Sequence, residues 1–367
     1  MSGGRSLRVV VAVVLAVSAS VATSQASAST RSPRLAVRVR GNHFVNARGH
    51  GFRLLGVNRS GGEYMCLRKH RGTRGLFDGP TSSQSIAAMK RWGVTAVRLP
   101  INETCWLGIN RVPVSRRKYR TAVVDYVHRL NAAKLDVIID MHWAAPGRRW
   151  ADGYIPMPDA DHAPAFWRSM AWTFKSDHAV LFDLYNQPHG VSWSCWRNGC
   201  TLPAGGLGGN WHPAYRAVGM QQLVNAVRST GATQPIMLGG LNFALDIDRW
   251  LANRPHDPAG QLVASEHNYG RTHPCTGLCV DAISAAARQV PVVIGELGES
   301  DCAHGYVSAW MRYADRRGLS YLGWEWNATP NGCTRGHELS LIRNWAGTPT
   351  RYGSGFKTHL QALARRR

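Results

Sequence analysis

Residues 180–190 read VLFDLYNQPHG, an apolar run that ends in a polar corner. The β-branched and aromatic residues of this run favour a buried strand, and Pro188 and Gly190 end it. Asn186 and Gln187 therefore lie at the C-terminal end of the strand, where they project beyond the sheet. In parallel barrels this is the end at which reactive side chains are found.

A second stretch has the same construction. Residues 291–300 read PVVIGELGES, and this apolar run delivers Glu296 to its C-terminal end. We interpret the two stretches as a pair whose polar ends face a common site.

Strand-like runs alternate with helical ones along most of the chain. Apolar residues recur at helical spacing between the strands, and a short hairpin that turns at residues 46–49 precedes them. Eightfold alternation predicts a single-domain (β/α)8 TIM barrel of the α/β class. The predicted strands span residues 52–58, 94–102, 135–143, 180–186, 235–243, 262–269, 291–298 and 319–327.

The predicted helices include residues 86–92, 119–130 and 214–227.

A doubly wound sheet is the alternative fold. It usually has a glycine-rich phosphate turn after its first strand, and residues 56–62 do not fit that pattern.

The N-terminus has the pattern of a secretory signal peptide. Arg5 and Arg8 precede an apolar run over residues 9–22, and a small-residue cleavage site follows at residues 26–28. We therefore expect residues 1–28 to be a signal peptide, residues 29–367 to be the barrel domain, and the protein to be secreted. A lone transmembrane anchor is the alternative, but the run is short for a bilayer.

Eight cysteines follow the predicted signal peptide, and an even number in an exported chain favours disulfides. Zinc binding is the competing interpretation, but the spacings lack paired C-x-x-C or H-x-x-x-H companions. The expected pairs are Cys66 with Cys105, Cys195 with Cys200, Cys275 with Cys279, and Cys302 with Cys333.

The formal net charge is +22, from 44 Lys and Arg against 22 Asp and Glu. The arginines are scattered rather than gathered with interleaved aromatics, and we find no nucleic-acid-binding module. A basic, solvated surface is the simpler interpretation, and adhesion to anionic cell-wall polymers is the alternative. No cofactor or metal motif is evident, and a barrel of this type needs no partner to complete its mouth, so we expect a monomer.

The predicted strand ends are unusually polar and aromatic. One His or Arg at such a position is more often structural, but many together are hard to explain as packing because buried charge is costly. These residues are Arg98, Asn102, His142, Trp143, Asn186, Gln187, Glu266, His267, Tyr269, Glu296, Trp324, Glu325 and Trp326.

These strand ends resemble glycoside hydrolase family 5, the retaining β-glycanases that include many cellulases. The resemblance covers nearly the whole chain after residue 28, with the matching positions on separate strands in the family's order. They are Arg98 in AVRLP, His142 in IIDMH, Asn186 at the Asn-Glu-Pro corner, His267 and Tyr269 in H-x-Y, Glu296 in G-E-x-G, and Trp324 in W-x-W-N.

The resemblance implies a retaining mechanism, in which a carboxylate nucleophile lies about 5–5.5 Å from an acid that protonates the leaving oxygen. It assigns Glu296 as the nucleophile. Arg98 is expected to orient this carboxylate and keep it ionised, and Tyr269 to donate a hydrogen bond to it. His267 borders the position of the acid, and Asn186 holds the sugar 2-hydroxyl.

The resemblance also implies a sugar site. Trp324 offers a flat apolar face to a pyranose ring, and His142 and Trp143 are assigned to substrate binding with it. The implied substrate is a β-1,4-glucan, with mannan and mixed-linkage polymers left open. Further tryptophans in loops after strands are candidates for either glycan stacking or core packing: Trp106, Trp150, Trp193, Trp196 and Trp211.

The chain departs from the family pattern at the acid/base position, where Gln187 replaces the usual glutamate. An amide keeps the size and much of the hydrogen bonding, but it has no proton to give at working pH. Loss of general acid catalysis typically costs about 100-fold to 10,000-fold in rate. The resemblance therefore predicts the fold and the sugar site more securely than the reaction.

Three accounts of this departure stay open. Another carboxylate can substitute: Glu103 and Glu299 lie in loops, whereas Glu266 and Glu325 should point away from the mouth by strand alternation. Alternatively, the protein is an endo-β-1,4-glucanase with impaired turnover, or one that acts on activated glycosides. The third account is a non-catalytic carbohydrate-binding protein with an intact cleft.

Overall fold

The computed structural model describes residues 1–4, 35–67, 76–206, 210–270, 274–334 and 338–366. The described residues from 35 onward form one compact unit. Beyond residue 4, the predicted signal peptide lies outside the described residues and stays a prediction. Within the described ranges, no helix is both long and apolar enough to cross a membrane.

The described residues contain thirteen strands. In chain order they are β1 (Arg38–Arg40), β2 (His43–Val45), β3 (Gly51–Phe52), β4 (Leu55–Asn58), β5 (Ala96–Asn102), β6 (Asp136–Trp143), β7 (Val180–Asp183), β8 (Gly199–Leu202), β9 (Tyr215–Val218), β10 (Ile236–Gly239), β11 (Leu262–Gly270), β12 (Val292–Glu299) and β13 (Ser320–Gly323).

The same residues form eleven helices. They are α1 (Ser83–Trp92), α2 (Glu103–Leu107), α3 (Arg116–Ala132), α4 (Ala163–Phe174), α5 (Trp193–Asn198), α6 (Met220–Arg228), α7 (Leu241–Ala244), α8 (Trp250–Asn253), α9 (Leu278–Ala286), α10 (Gly305–Arg316) and α11 (Arg351–Ala364).

Eight of the strands form a closed barrel in the order β4-β5-β6-β7-β10-β11-β12-β13, and β13 pairs with β4 to close it. Every neighbouring pair in the barrel is parallel. Helices follow the strands and cover the outside of the barrel. The predicted TIM barrel with a short N-terminal hairpin is therefore confirmed.

Three barrel strands end earlier than the sequence pattern predicts. They end at Asp183, Gly239 and Gly323, before the polar residues of each predicted strand. The chain beyond β7 still bonds sideways to its neighbours, since Asn186 N donates to Met141 O at 3.1 Å. The polar residues therefore lie in ordered loops at the barrel mouth rather than in the strand ladder.

The predicted helix over residues 214–227 is wrong in its first half. Tyr215–Val218 form strand β9, which pairs antiparallel with β8, and helix α6 begins only at Met220. Tyr215 is buried, Arg216 is exposed and Ala217 is buried, which is the period-two pattern of a strand.

The barrel interior opposite the mouth is filled by one side chain from each barrel strand. These are Leu54, Ala96, Ile138, Leu181, Met237, Val263, Val293 and Leu322, joined by Val37 and Phe44 from the N-terminal segment. Phe44 is 2% exposed, so the β1–β3 hairpin closes this end of the barrel. A layer of this kind is a packed core rather than a pore.

All four expected disulfides are present, linking Cys66 to Cys105, Cys195 to Cys200, Cys275 to Cys279, and Cys302 to Cys333. The competing zinc interpretation is therefore wrong for these cysteines, because a sulfur in a disulfide is not a thiolate ligand.

The first disulfide closes the longest loop of the four, with a sequence separation of 39 between Cys66 and Cys105, against 4 between Cys275 and Cys279. From loop-closure entropy, we expect Cys66→Ala/Cys105→Ala to lower the free energy of unfolding by about 4 kcal/mol and Cys275→Ala/Cys279→Ala by about 2 kcal/mol. Denaturant unfolding of the two variants measures the difference. Equal losses, or a reversed order, would contradict the assignment of the first disulfide as the main covalent constraint on the fold.

Candidate active site

Arg98 lies at the centre of the barrel mouth and is fully buried. It contacts a carboxylate from each of three other strands. Its Nε donates to Asp183 at 2.9 Å, its Nη1 to Glu296 at 2.8 Å, and its Nη2 lies 3.1 Å from Asp140. A buried guanidinium needs such partners because an unpaired charge in this environment would be very costly.

The electrostatics of this cluster follow from burial. Burial alone would lower the pKa of Arg98, but the charges of Asp140, Asp183 and Glu296 reverse this and raise it. Burial raises the pKa of Asp140 and of Asp183, and the charge of Arg98 opposes the rise. The cluster therefore keeps Arg98 charged while its aspartates protonate more readily than in water.

Glu296 is held on both of its carboxylate oxygens. Its Oε1 accepts from Arg98 at 2.8 Å, and its Oε2 accepts from the Tyr269 hydroxyl at 2.5 Å. Burial raises the pKa of Glu296, while the charge of Arg98 and the hydrogen bond from Tyr269 oppose that rise. The carboxylate is therefore fixed in orientation and 2% exposed, in the second half of β12.

His267 lies between Glu296 and Gln187. Its Nδ1 is 3.4 Å from Glu296 Oε2 and 3.2 Å from Gln187 Nε2. Burial, followed by the charges of Arg98 and His142, lowers the pKa of His267 well below its usual range, so the imidazole is neutral. The amide of Gln187 and the carboxylate of Glu296 thus approach the same ring nitrogen from two sides.

A chain of hydrogen bonds fixes the orientation of Asn186. Arg98 Nη2 donates to Asn186 Oδ1 at 2.9 Å, so the Asn186 amide nitrogen faces His142 Nε2 at 3.4 Å. His142 Nδ1 in turn lies 2.6 Å from Asp140. Burial lowers the pKa of His142 to about 3, which keeps the ring neutral with its Nδ1 proton on the Asp140 side. Arg98 Nη1 also donates to Asn58 at 3.1 Å.

Aromatic rings form one wall of the mouth. Trp324 stacks on His142, with the ring centroids 5.4 Å apart and the planes 7° from parallel. Trp143 and Tyr154 each lie about 6.2 Å from His142 and meet each other edge-to-face at 6.3 Å. Trp324, Trp143 and Tyr154 are half-buried, so parts of their faces remain open to a ligand.

The structure brings together every residue that the sequence assigned to the site. Glu296, Gln187, Arg98, His267 and Tyr269 form one connected group, and His142, Asn186, Trp324 and Trp143 line the mouth beside it.

Sequence reasoning missed Asn58, Asp140, Asp183 and Tyr154. The two aspartates could have been found, because an acidic residue inside an apolar strand is rarely buried unless it is paired. Tyr154 lies in the long loop after β6, where no pattern marks it.

The carboxylates considered as substitutes for the acid are engaged elsewhere. Glu266 Oε1 lies 3.7 Å from Cys279 Sγ, which is part of a disulfide, on the outer face of the barrel, as strand alternation predicts. Glu299 accepts from Val307 N at 3.0 Å. Among the described residues, neither these two nor Glu103 and Glu325, whose contacts also lie elsewhere, hydrogen-bonds to Gln187, His267 or Glu296.

The loop tryptophans divide into two groups. Trp106 and Trp196 are fully buried and Trp193 nearly so, which makes them core residues. Trp211 is 55% exposed, with the Arg149 guanidinium 5.2 Å from its ring centroid. Trp150 and Trp211 line a groove that also includes Tyr154, so an aromatic surface continues outward from the mouth.

Solved structures with the same fold include carbohydrate-active enzymes. A beta-glucanase from Saccharophagus degradans is 19% identical, with a TM-score of 0.66, and the match covers 90% of this chain and 94% of that one. An endo-beta-1,4-glucanase from Xanthomonas axonopodis pv. citri is 18% identical, with a TM-score of 0.63 and coverage of 85% and 100%. A mannanase catalytic domain from Streptomyces sp. SirexAA-E is 18% identical, with a TM-score of 0.62 and coverage of 92% and 94%.

At these identities the neighbours establish the fold alone. The family model for cellulase, glycosyl hydrolase family 5, matches residues 45–330, which span the barrel from the N-terminal hairpin to the loop after β13. That range contains Arg98, Asn186, Gln187, His267 and Glu296. The chain therefore belongs to the cellulase family, glycosyl hydrolase family 5.

Proposed function

We propose that the protein is a secreted endo-β-1,4-glucanase-type glycosidase in which Glu296 is the nucleophile and Gln187 occupies the acid/base position. The observation that carries this proposal is the shared contact with His267, whose Nδ1 lies 3.4 Å from Glu296 and 3.2 Å from Gln187. Two groups that approach the same ring nitrogen cannot lie far apart, which supports the short spacing of the retaining mechanism over the wider spacing of the inverting one.

Glu296 is suited to attack an anomeric carbon. Arg98 and Tyr269 occupy one direction around each carboxylate oxygen, which fixes the carboxylate and leaves its remaining lone pairs for the substrate. In this mechanism the bond from Glu296 to the sugar forms as the bond to the leaving oxygen breaks, and water later releases the sugar. Asn186, oriented by Arg98 and His142, is placed to bind the sugar 2-hydroxyl.

Gln187 changes the leaving-group step. A poor leaving group such as a sugar alkoxide needs a proton as its bond breaks, and an amide cannot supply one. Activated glycosides, whose leaving groups are stable as anions, escape this requirement. The proposal therefore includes slow turnover of β-glucan and faster turnover of activated aryl glycosides.

The substrate class rests on the aromatic wall. Trp324 and Trp143 offer flat apolar faces of the kind on which a pyranose ring stacks, and Trp211 extends this surface outward. Relatives in fold include a beta-glucanase and a mannanase, so glucan and mannan are both to be assayed.

A non-catalytic carbohydrate-binding protein is the second candidate. Gln187 is the observation that favours it, because the cleft keeps its sugar-binding groups while the proton donor is missing. The two candidates differ in whether Glu296 still forms a bond to a sugar.

Replacement of the amide tests the acid position. We expect Gln187→Glu to raise kcat for soluble β-glucan by about 100-fold to 10,000-fold, because a general acid is restored, and to change the turnover of an activated aryl glycoside much less. Gln187→Asn is the matched control and should show no such gain. Equal activity of Gln187→Glu and the unaltered protein on β-glucan would mean that another group donates the proton. If neither hydrolyses glucan or mannan while both bind oligosaccharides, the binding protein is the correct candidate.

The pH profile provides an independent test. Burial raises the pKa of Glu296, so activity should fall as the pH decreases through this raised value and the nucleophile becomes protonated. Only Gln187→Glu should also lose activity as the pH rises, because its acid then loses its proton. Measurement of kcat/KM for soluble β-glucan, whose leaving group needs the acid, between about pH 4 and pH 9 separates these limbs. An alkaline limb already present with Gln187 would indicate another titrating acid.

Covalent labelling tests the nucleophile. A 2-fluoroglycoside with a good leaving group should label the unaltered protein and Gln187→Glu, and should not label Glu296→Gln. Glu299→Gln is the matched control, because Glu299 lies on the same strand and bonds to Val307 instead. Intact-mass and peptide mass spectrometry locate the label. Labelling that persists in Glu296→Gln would remove Glu296 from this role.

A further inference from the structure

Three carboxylates and one imidazole meet where helix α2 contacts the loop after β6. Ligand atoms of Asp159, Asp161 and His162 all lie within 4.8 Å of one another. Glu103, the first residue of α2, lies within hydrogen-bonding reach of Asp159 and also feels the charge of Asp161. The group lies apart from Glu296 and takes no part in the chemistry proposed above.

Each of these four side chains uses one polar atom to hold the loop. Glu103 Oε2 accepts from Ala145 N at 3.0 Å, and Asp159 Oδ1 accepts from His162 N at 2.7 Å. On the surface side, Asp161 Oδ2 and His162 Nε2 bond to the two backbone groups of Gly147 at 2.9 and 2.8 Å. The second polar atom of each side chain is thereby left for another partner.

The buried pair is the decisive observation. Glu103 and Asp159 are both 0% exposed, yet Glu103 Oε1 and Asp159 Oδ2 accept no hydrogen bond from any donor among the described residues. Their carboxyl groups face each other instead. Two buried acceptor oxygens in contact repel unless something positive lies between them, which is either a proton or a cation.

Asp161 and His162 favour the cation. A proton shared by Glu103 and Asp159 needs no further groups, whereas here a third carboxylate and an imidazole come within 4.8 Å of Asp159 from the solvent side. His162 Nε2 faces a carbonyl oxygen and so carries the proton, which leaves Nδ1 with a free lone pair. Glu103 and Asp159 are buried, whereas Asp161 is exposed and His162 is half-buried, so an ion can enter the site from the solvent side.

We propose a binding site for one divalent cation, Zn²⁺ or Mn²⁺, built from Glu103, Asp159, Asp161 and His162. An imidazole nitrogen among carboxylate oxygens suits these ions better than Ca²⁺, whose protein ligands are oxygens. Ligands bound at about 2.0–2.2 Å lie closer together than the 4.8 Å that separates Asp159, Asp161 and His162, and Glu103 joins this set through its contact with Asp159, so binding draws the four side chains together.

The bound cation acts on the cleft through the loop. Residues 144–162 carry Trp150 and Tyr154 to the mouth, and the four ligands fix both ends of this loop against α2. The ion therefore stabilises the aromatic side of the cleft without touching the substrate.

Calorimetric titration of the full-length oxidised protein tests the site. After removal of metals with EDTA, and without reductant, we expect one Mn²⁺ or Zn²⁺ to bind per chain. Binding at about 100 times the dissociation constant should raise the unfolding midpoint by about 4 °C. Asp161→Asn/His162→Ala should weaken binding by about 100-fold or more. These two residues lie at the surface, so the variant should fold normally.

The matched control is Asp125→Asn/His128→Ala, which removes an exposed aspartate and histidine from one face of helix α3. It should bind the cation as the unaltered protein does. Equal affinity in both variants, or the absence of saturable binding in the unaltered protein, would overturn the proposal. The buried pair would then share a proton carried by Glu103, whose pKa burial raises well above its usual range, and stability would fall as the pH rises through that raised value.

Discussion

The barrel mouth depends on one buried guanidinium. Arg98 joins carboxylates from three other strands, and it also orients the amide of Asn186. Breaking a buried ion pair typically costs about 3–5 kcal/mol, because the remaining charge has no partner. The nucleophile proposed here, the sugar-binding amide and the strands that carry them are thus linked through a single side chain that never meets solvent. Substrate chemistry at the mouth is inseparable from the stability of the barrel.

Sequence pattern was sufficient for the barrel and for most of the residues at its mouth, but not for Asn58, Asp140, Asp183 and Tyr154. Apolar strands alternate with amphipathic helices, and side chains such as Glu296 and His267 follow directly from strand periodicity. The pattern failed where the structure depends on contacts between distant segments. Tyr215–Val218 form a strand because Gly199–Leu202 pair with it, and Tyr154 reaches the mouth because its long loop folds back. The cluster of Glu103 and Asp159 was equally invisible, since 55 residues separate the two along the chain.

For this protein, the inference of a sugar-binding cleft and the inference of hydrolysis rest on different residues. Arg98 and Tyr269 each hold one carboxylate oxygen of Glu296, so one half of the proposed catalytic apparatus is in place. The other half, the proposed acid/base group, depends on one atom. The amide nitrogen of Gln187 takes the place of the carboxyl oxygen of a glutamic acid that would carry the transferable proton. The amide nitrogen of Gln187 lies 3.2 Å from His267 Nδ1, so this side chain has a polar partner within the site. Selection for sugar binding alone would tolerate glutamine at this position, whereas selection for turnover would favour glutamate.

The hairpin that closes the far end of the barrel bears on how the chain reaches its final state. Val37 N bonds to His178 O, Val39 N to Gln261, and the Asn42 side chain to Ala287 O. The hairpin that covers the barrel end is thus synthesised before the residues with which it pairs, which lie up to 245 positions later in the chain. Contacts of such separation form slowly, because a long loop must close before they are made. Until then the barrel end is open and apolar, and transiently exposed apolar surface of this kind is prone to aggregation.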